Sequence, residues 1–127
     1  MRILLDTHIL LWAISTPERL SDETLSAIES AESVFFSAAS IWEIAIKAGL
    51  GYADFAARPE EVAGEALDIG FIELPVQSSI AALVATLPRL HRDPFDRLLV
   101  VQARALPAIF FTADRQLPAY SELVRLV

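Results

Sequence analysis

Four acidic residues stand where this chain has little obvious structural need of them. Asp6 closes the apolar run Ile3-Leu4-Leu5, Asp114 follows Phe110-Phe111-Thr112-Ala113, and Glu43 interrupts an otherwise apolar helical stretch. Asp96 lies in His91-Arg92-Asp93-Pro94-Phe95-Asp96-Arg97-Leu98-Leu99, which crowds acids, cations and a helix-starting proline into the mouth of an apolar segment. Each has an ordinary alternative. Asp6 and Asp114 are well placed to cap the helix or turn that follows, and Asp96 suits a first helical turn, where free backbone N–H groups favour a carboxylate. Glu43 followed by Lys47 is the stabilising i,i+4 ion-pair order on an exposed helix face.

Brought together, the four would do chemistry. Unit charges ~5 Å apart repel by about 3 kcal/mol at an effective dielectric near 20, so converging carboxylates either hold protons or take up a cation. With no cysteine and no paired histidines, the donors are oxygens, which suits Mg²⁺ or Mn²⁺ better than zinc. Such an ion activates water and polarises a phosphoryl group, and one or two ions would serve. Thr7, Ser40 and Thr112 lie within three residues of three of the acids, able to orient carboxylates or simply to cap. Arg97 suits either a phosphate clamp or a surface ion pair. His91 could meet substrate, His8 reads as a helix-face histidine, and Trp12 and Trp42 read as core or partner-interface residues.

The elements that must position these residues alternate. Strands are expected over Arg2–Asp6, Val34–Phe36, Phe71–Leu74, Ala108–Thr112 and, as a fifth, Leu123–Val127. Helices are expected over Thr7–Ile14, from a Ser21 cap to Ala31, from Ser37 or Ser40 to Gly49, from Pro59 to Ile69, from Ser78 or Ser79 through Leu87, and over Pro94–Leu106. Tyr52–Arg58 and Pro88–Arg92 read as loops, and Arg115–Tyr120 as a short turn or helix. Short apolar strands alternating with helices imply an α/β fold, a three-layer sandwich around a parallel sheet of four to five strands. Ligands of such sheets bind outside the carboxyl ends of the strands, where strand order reverses. That rule puts the four acids on one edge.

At 127 residues the chain reads as one domain, residues 1–127, able to bury roughly two thirds of its unfolded surface. A hydrophobic fraction of 54% and mean hydropathy of +0.47 leave apolar surface to spare, which points to a protein partner. Asp6 and His8 break the first apolar stretch, so neither a signal peptide nor a membrane span is expected, and the lack of cysteine fits a reducing, cytoplasmic setting. A net charge of −7 argues against nucleic-acid binding in bulk. Its distribution argues the other way: Arg89, Arg92, Arg97, Arg104 and Arg115 crowd around the acids, while Glu18, Asp22, Glu23, Glu29 and Glu32 lie apart.

Over essentially its whole length the sequence resembles the PIN-domain ribonucleases, and among them the VapC-type toxins of toxin–antitoxin pairs. Leu4-Leu5-Asp6-Thr7-His8, Ser37-Ala38-Ala39-Ser40-Ile41-Trp42-Glu43-Ile44-Ala45-Ile46-Lys47, His91 to Leu99 and Thr112-Ala113-Asp114 carry the resemblance in order. It implies an Mg²⁺- or Mn²⁺-dependent endoribonuclease with Asp6, Glu43, Asp96 and Asp114 as catalytic metal ligands, the last at a position that varies in the family. It also implies a homodimer and a cognate antitoxin whose tail blocks the acidic site. The alternatives are another metal-dependent α/β phosphohydrolase and a non-catalytic partner-binding domain. A haloacid-dehalogenase-like phosphatase would carry a second Asp where this chain has His8, and a response-regulator receiver would pair acids there.

Overall fold

In the computed structural model, which describes all 127 residues, the alternation of apolar strands and helices produces five parallel strands in the order β3-β2-β1-β4-β5. The strands are β1 (Arg2–Leu5), β2 (Ser33–Ser37), β3 (Ile72–Leu74), β4 (Ile109–Thr112) and β5 (Val124–Leu126). Six helices connect them: α1 (Thr7–Ser15), α2 (Asp22–Ser30), α3 (Ala38–Gly49), α4 (Pro59–Asp68), α5 (Ser78–Ala81) and α6 (Pro94–Ala105). This is the three-layer α/β/α arrangement expected from the pattern.

Strand side chains alternate between two cores. Ile3, Leu5, Val34, Phe36 and Phe111 pack under α1, α2 and α4, whereas Leu4, Phe35 and Phe110 pack against α6 and the segment before it. Both faces of the central strands are therefore covered, which explains their unbroken apolar runs. The chain lays β2 and then β3 to one side of β1 and returns to place β4 on the other. The reversal leaves a crevice beyond the carboxyl ends of β1 and β4, and Asp6 and Asp114 follow those two ends.

Local details settle one alternative of the sequence reading and depart from it in two places. Ser37, not Ser40, caps α3, its hydroxyl accepting from the Ala39 N–H at 3.0 Å while it donates to Gln102 Oε1 at 2.6 Å. The expected helix from residue 78 to 87 is one α-turn followed by a 3₁₀ stretch, Ala82–Thr86. No side chain caps it, Pro88 blocks its continuation and the Thr86 hydroxyl bonds back to Leu83 O, so the tighter turn wins. Short 3₁₀ turns also form at Pro17–Arg19 and at Ala53–Phe55, where Phe55 is buried although the surrounding segment reads as loop.

Candidate active site

Asp6 leaves β1 as the N-cap of α1, and its Oδ1 accepts from the Thr7 N–H at 2.7 Å. Its Oδ2 accepts from the Thr112 hydroxyl at the end of β4, at 2.6 Å. Thr7 then reaches to α3: its hydroxyl donates to Glu43 Oε1 at 2.6 Å and lies 2.9 Å from Ser40 Oγ. Lys47, one turn on from Glu43, donates to Glu43 Oε2. The i,i+4 pair expected on an open helix face does form, but Glu43 is 2% exposed, so the pair belongs to the site rather than to a solvated surface.

Asp93 caps α6, its Oδ1 accepting from the N–H groups of Phe95 and Asp96 at 2.8 and 3.3 Å. That relieves Asp96 of the capping task and leaves its carboxylate facing the crevice. Asp114 Oδ1 accepts from the Gln116 N–H at 2.9 Å, and its Oδ2 lies 2.7 Å from His91 Nε2. Asp6, Glu43, Asp96 and Asp114 thus line one open cleft of about 370 Å³, walled by His8, Trp12, Lys47, Asp54, His91 and Asp93. A larger groove of about 540 Å³, between Leu25, Ile28, Ile69 and Phe71, sits at the amino ends of β2 and β3 and gathers no comparable group of ligating side chains.

The electrostatics follow from this crowding. Asp96 is pushed up to about 9, first by burial and then by the charges of Asp6, Asp93, Glu43 and Asp114. Asp6 is also raised, by burial above all, although hydrogen bonds from Thr112 and Thr7 work against the rise. Lys47 is raised too: burial opposes its charge, but the hydrogen bond and charge of Glu43, with Asp93 and Asp96 behind it, outweigh that. Asp6, Glu43 and Asp114 each have both oxygens engaged by protein donors, while Asp96 has only His91 Nε2 at 3.4 Å. A buried, poorly solvated carboxylate among other carboxylates is what a hard cation relieves, so the residues fit a divalent ion held by oxygen donors. Ligating atoms of His91, Asp96 and Asp114 lie within 4.8 Å of one another.

Other expected residues are placed differently. Arg97 is turned away from the cleft: its Nη2 donates to Val84 O at 3.1 Å and Leu87 O at 3.3 Å, and Nη1 reaches His91 O at 3.5 Å. Arg97 thus ties together the carbonyls of the segment that leads into α6, Val84 O among them while it also accepts the Leu87 N–H, which is neither a phosphate clamp nor an ion pair. Trp12 is half-buried and packs on the margin of the core with the Arg19 guanidinium 4.4 Å over its ring, whereas Trp42 is 61% exposed in edge contact with Phe95 and outside the core. His8 lies on α1 against the Phe55 ring, 5.0 Å between centroids, and 3.9 Å from Asp54. Of the five arginines near the acids, Arg89, Arg92, Arg104 and Arg115 remain exposed. Sequence reasoning did not connect His91 with Asp114 or draw Lys47 into the site. For His91, the only sequence signal is its position two residues ahead of the capping Asp93.

Comparison with known proteins places the chain in a family. The family model described as "PIN domain" matches residues 3–123. The fold is similar to the crystal structure of VapBC2 from Rickettsia felis bound to a DNA fragment from their promoter, with a TM-score of 0.71 and 16% identity over 99% of this chain and 98% of that one. No curated protein matches the chain.

Proposed function

Because the chain belongs to the PIN-domain family, we propose that it is a divalent-metal-dependent endoribonuclease acting as the toxin of a toxin–antitoxin pair. One observation carries this reading: Asp6, Glu43, Asp96 and Asp114, drawn from four separate stretches of chain, meet in one cleft where burial and then the neighbouring carboxylates push Asp96 up to about 9. When bound, Mg²⁺ or Mn²⁺ supplies activation of water and charge stabilisation at the scissile phosphate. Asp6, Glu43, Asp96 and Asp114 would hold it. Thr112 and Thr7 keep the Asp6 and Glu43 carboxylates aimed into the cleft, Ser40 supports Thr7, and Lys47 balances part of the charge on Glu43.

The substrate follows from the surroundings. The exposed Arg89, Arg92 and Arg115 belong to the segments that carry His91, Asp93 and Asp114 into the cleft, and they suit a phosphate backbone. A partner follows from the apolar face of α3, where Trp42, Ile46 and Leu50 recur at helical spacing and stay exposed. An antitoxin segment seated near this face could place an arginine among the acids, compensating them as an ion does. A homodimer and a cytoplasmic setting complete the proposal, and no helix is long and apolar enough to cross a membrane.

The test is induced expression in a host cell followed by sequencing of RNA 5′ and 3′ ends, with and without the product of a neighbouring small reading frame tested as the antitoxin. New ends that appear with the toxin alone and vanish on co-expression support the reading. Unchanged RNA ends contradict it. Removing the antitoxin's inserted basic residue should leave binding intact and abolish suppression.

A further inference from the structure

His91 is held at every polar atom. Its backbone N–H donates to the Tyr120 hydroxyl at 2.9 Å, and its carbonyl lies 3.5 Å from Arg97 Nη1. Its Nδ1 accepts from the Asp93 N–H at 3.0 Å, and its Nε2 stands 2.7 Å from Asp114 Oδ2 and 3.4 Å from Asp96 Oδ2. A ring nitrogen that accepts from an amide N–H carries no proton, so the proton of the neutral imidazole is on Nε2, and both facing carboxylate oxygens are acceptors. Position alone would make His91 a third ligand beside Asp96 and Asp114. Its hydrogen bonds say otherwise: the Nδ1 lone pair is taken by Asp93 and the Nε2 lone pair by a proton.

We propose that His91 is a positioning residue, a neutral Nε2–H donor locked by the Asp93 backbone, which anchors the Asp114 carboxylate beside Asp96 and does not itself ligate the ion. The role rests on the ion-binding part of the reading above and not on RNA as substrate. Asp93 then serves twice: its side chain caps α6 and thereby sets where Asp96 starts, while its N–H selects the tautomer of His91. Tyr120 and Arg97 fix the loop carrying the ring, so the donor arrives with little freedom left to lose.

Two measurements on the full chain test this without reference to cleavage. Long-range ¹⁵N–¹H spectra of the imidazoles have only His8 and His91 to assign, and His91→Gln removes one set. They should show His91 protonated on Nε2 and bare on Nδ1 without metal, and still so at saturation with Mg²⁺, which is diamagnetic. Calorimetric Mn²⁺ titration should show His91→Ala binding about tenfold more weakly than wild type, with His91→Gln, whose amide N–H can stand in for Nε2–H, recovering most of that loss. A proton on Nδ1, loss of the Nε2 proton on Mg²⁺ binding, wild-type affinity in His91→Ala, or a Gln variant as weak as Ala would each overturn the proposal. RNA cleavage could fail in every variant without touching these outcomes.

Discussion

Thr112 and Asp6, 106 residues apart in the chain, are joined by a 2.6 Å hydrogen bond across the reversal in strand order. The bond ties the end of β4 to the end of β1, and the same threonine oxygen accepts from the Asp114 N–H at 3.0 Å. Two acids of the cleft are therefore set by one hydroxyl. Thr112→Val, nearly identical in shape, should leave a buried carboxylate oxygen and an amide without partners, at a cost of about 1–3 kcal/mol. Thermal unfolding would show the loss, and half-maximal cleavage should need more Mg²⁺.

Metal-free stability should fall with rising pH. The folded chain holds a proton on Asp96 up to about 9, whereas the unfolded chain releases it near 3.8, as a solvated aspartate does. The stabilisation is therefore complete below about pH 4 and is lost as pH climbs through the folded value. Asp6 titrates in the same direction. Melting scans in chelator should show a decline of about 5 °C or more between pH 6 and 9. Asp96→Asn should flatten it, and Mg²⁺, which binds the deprotonated form, should offset it most at high pH.

Removing Lys47 strands a charge. Lys47→Met leaves the Glu43 carboxylate, 2% exposed, without its cationic partner, and should cost about 1–3 kcal/mol in the absence of metal. Saturating Mg²⁺ should recover part of that loss. Equal destabilisation with and without Mg²⁺ would separate Glu43 from the ion.

Arg97→Ala separates a strut from a clamp. With the guanidinium bonds to Val84 O, Leu87 O and His91 O removed, the melting temperature should drop by an amount corresponding to about 2 kcal/mol, while the Michaelis constant for RNA stays near wild type in the folded fraction. A raised Michaelis constant with an unchanged melting temperature would return Arg97 to phosphate contact.

Much of this is legible in the sequence. Short unbroken apolar runs mark β1, β2 and β4, and the rule for parallel sheets puts Asp6 and Asp114 at one edge. Glu43 was ambiguous because Glu and Lys four apart are also what a solvated helix face carries, and only packing of α3 against α1 reveals its burial. Arg97 beside Asp96 suggests charge pairing, but its partners are carbonyls at the end of a 3₁₀ stretch, whose winding sequence period does not register. The contact between His91 and Asp114 depends on a loop path and a ring tautomer, neither of which spacing encodes.

The most direct test is cleavage of a mixed cellular RNA by purified protein with Mg²⁺ or Mn²⁺, comparing wild type with Asp6→Asn and Asp96→Asn after circular dichroism confirms that all three are folded. The account predicts chelator-sensitive cleavage by wild type and a loss of at least about a hundredfold in both variants. Cleavage that survives chelation, or that persists undiminished in both variants, would contradict it.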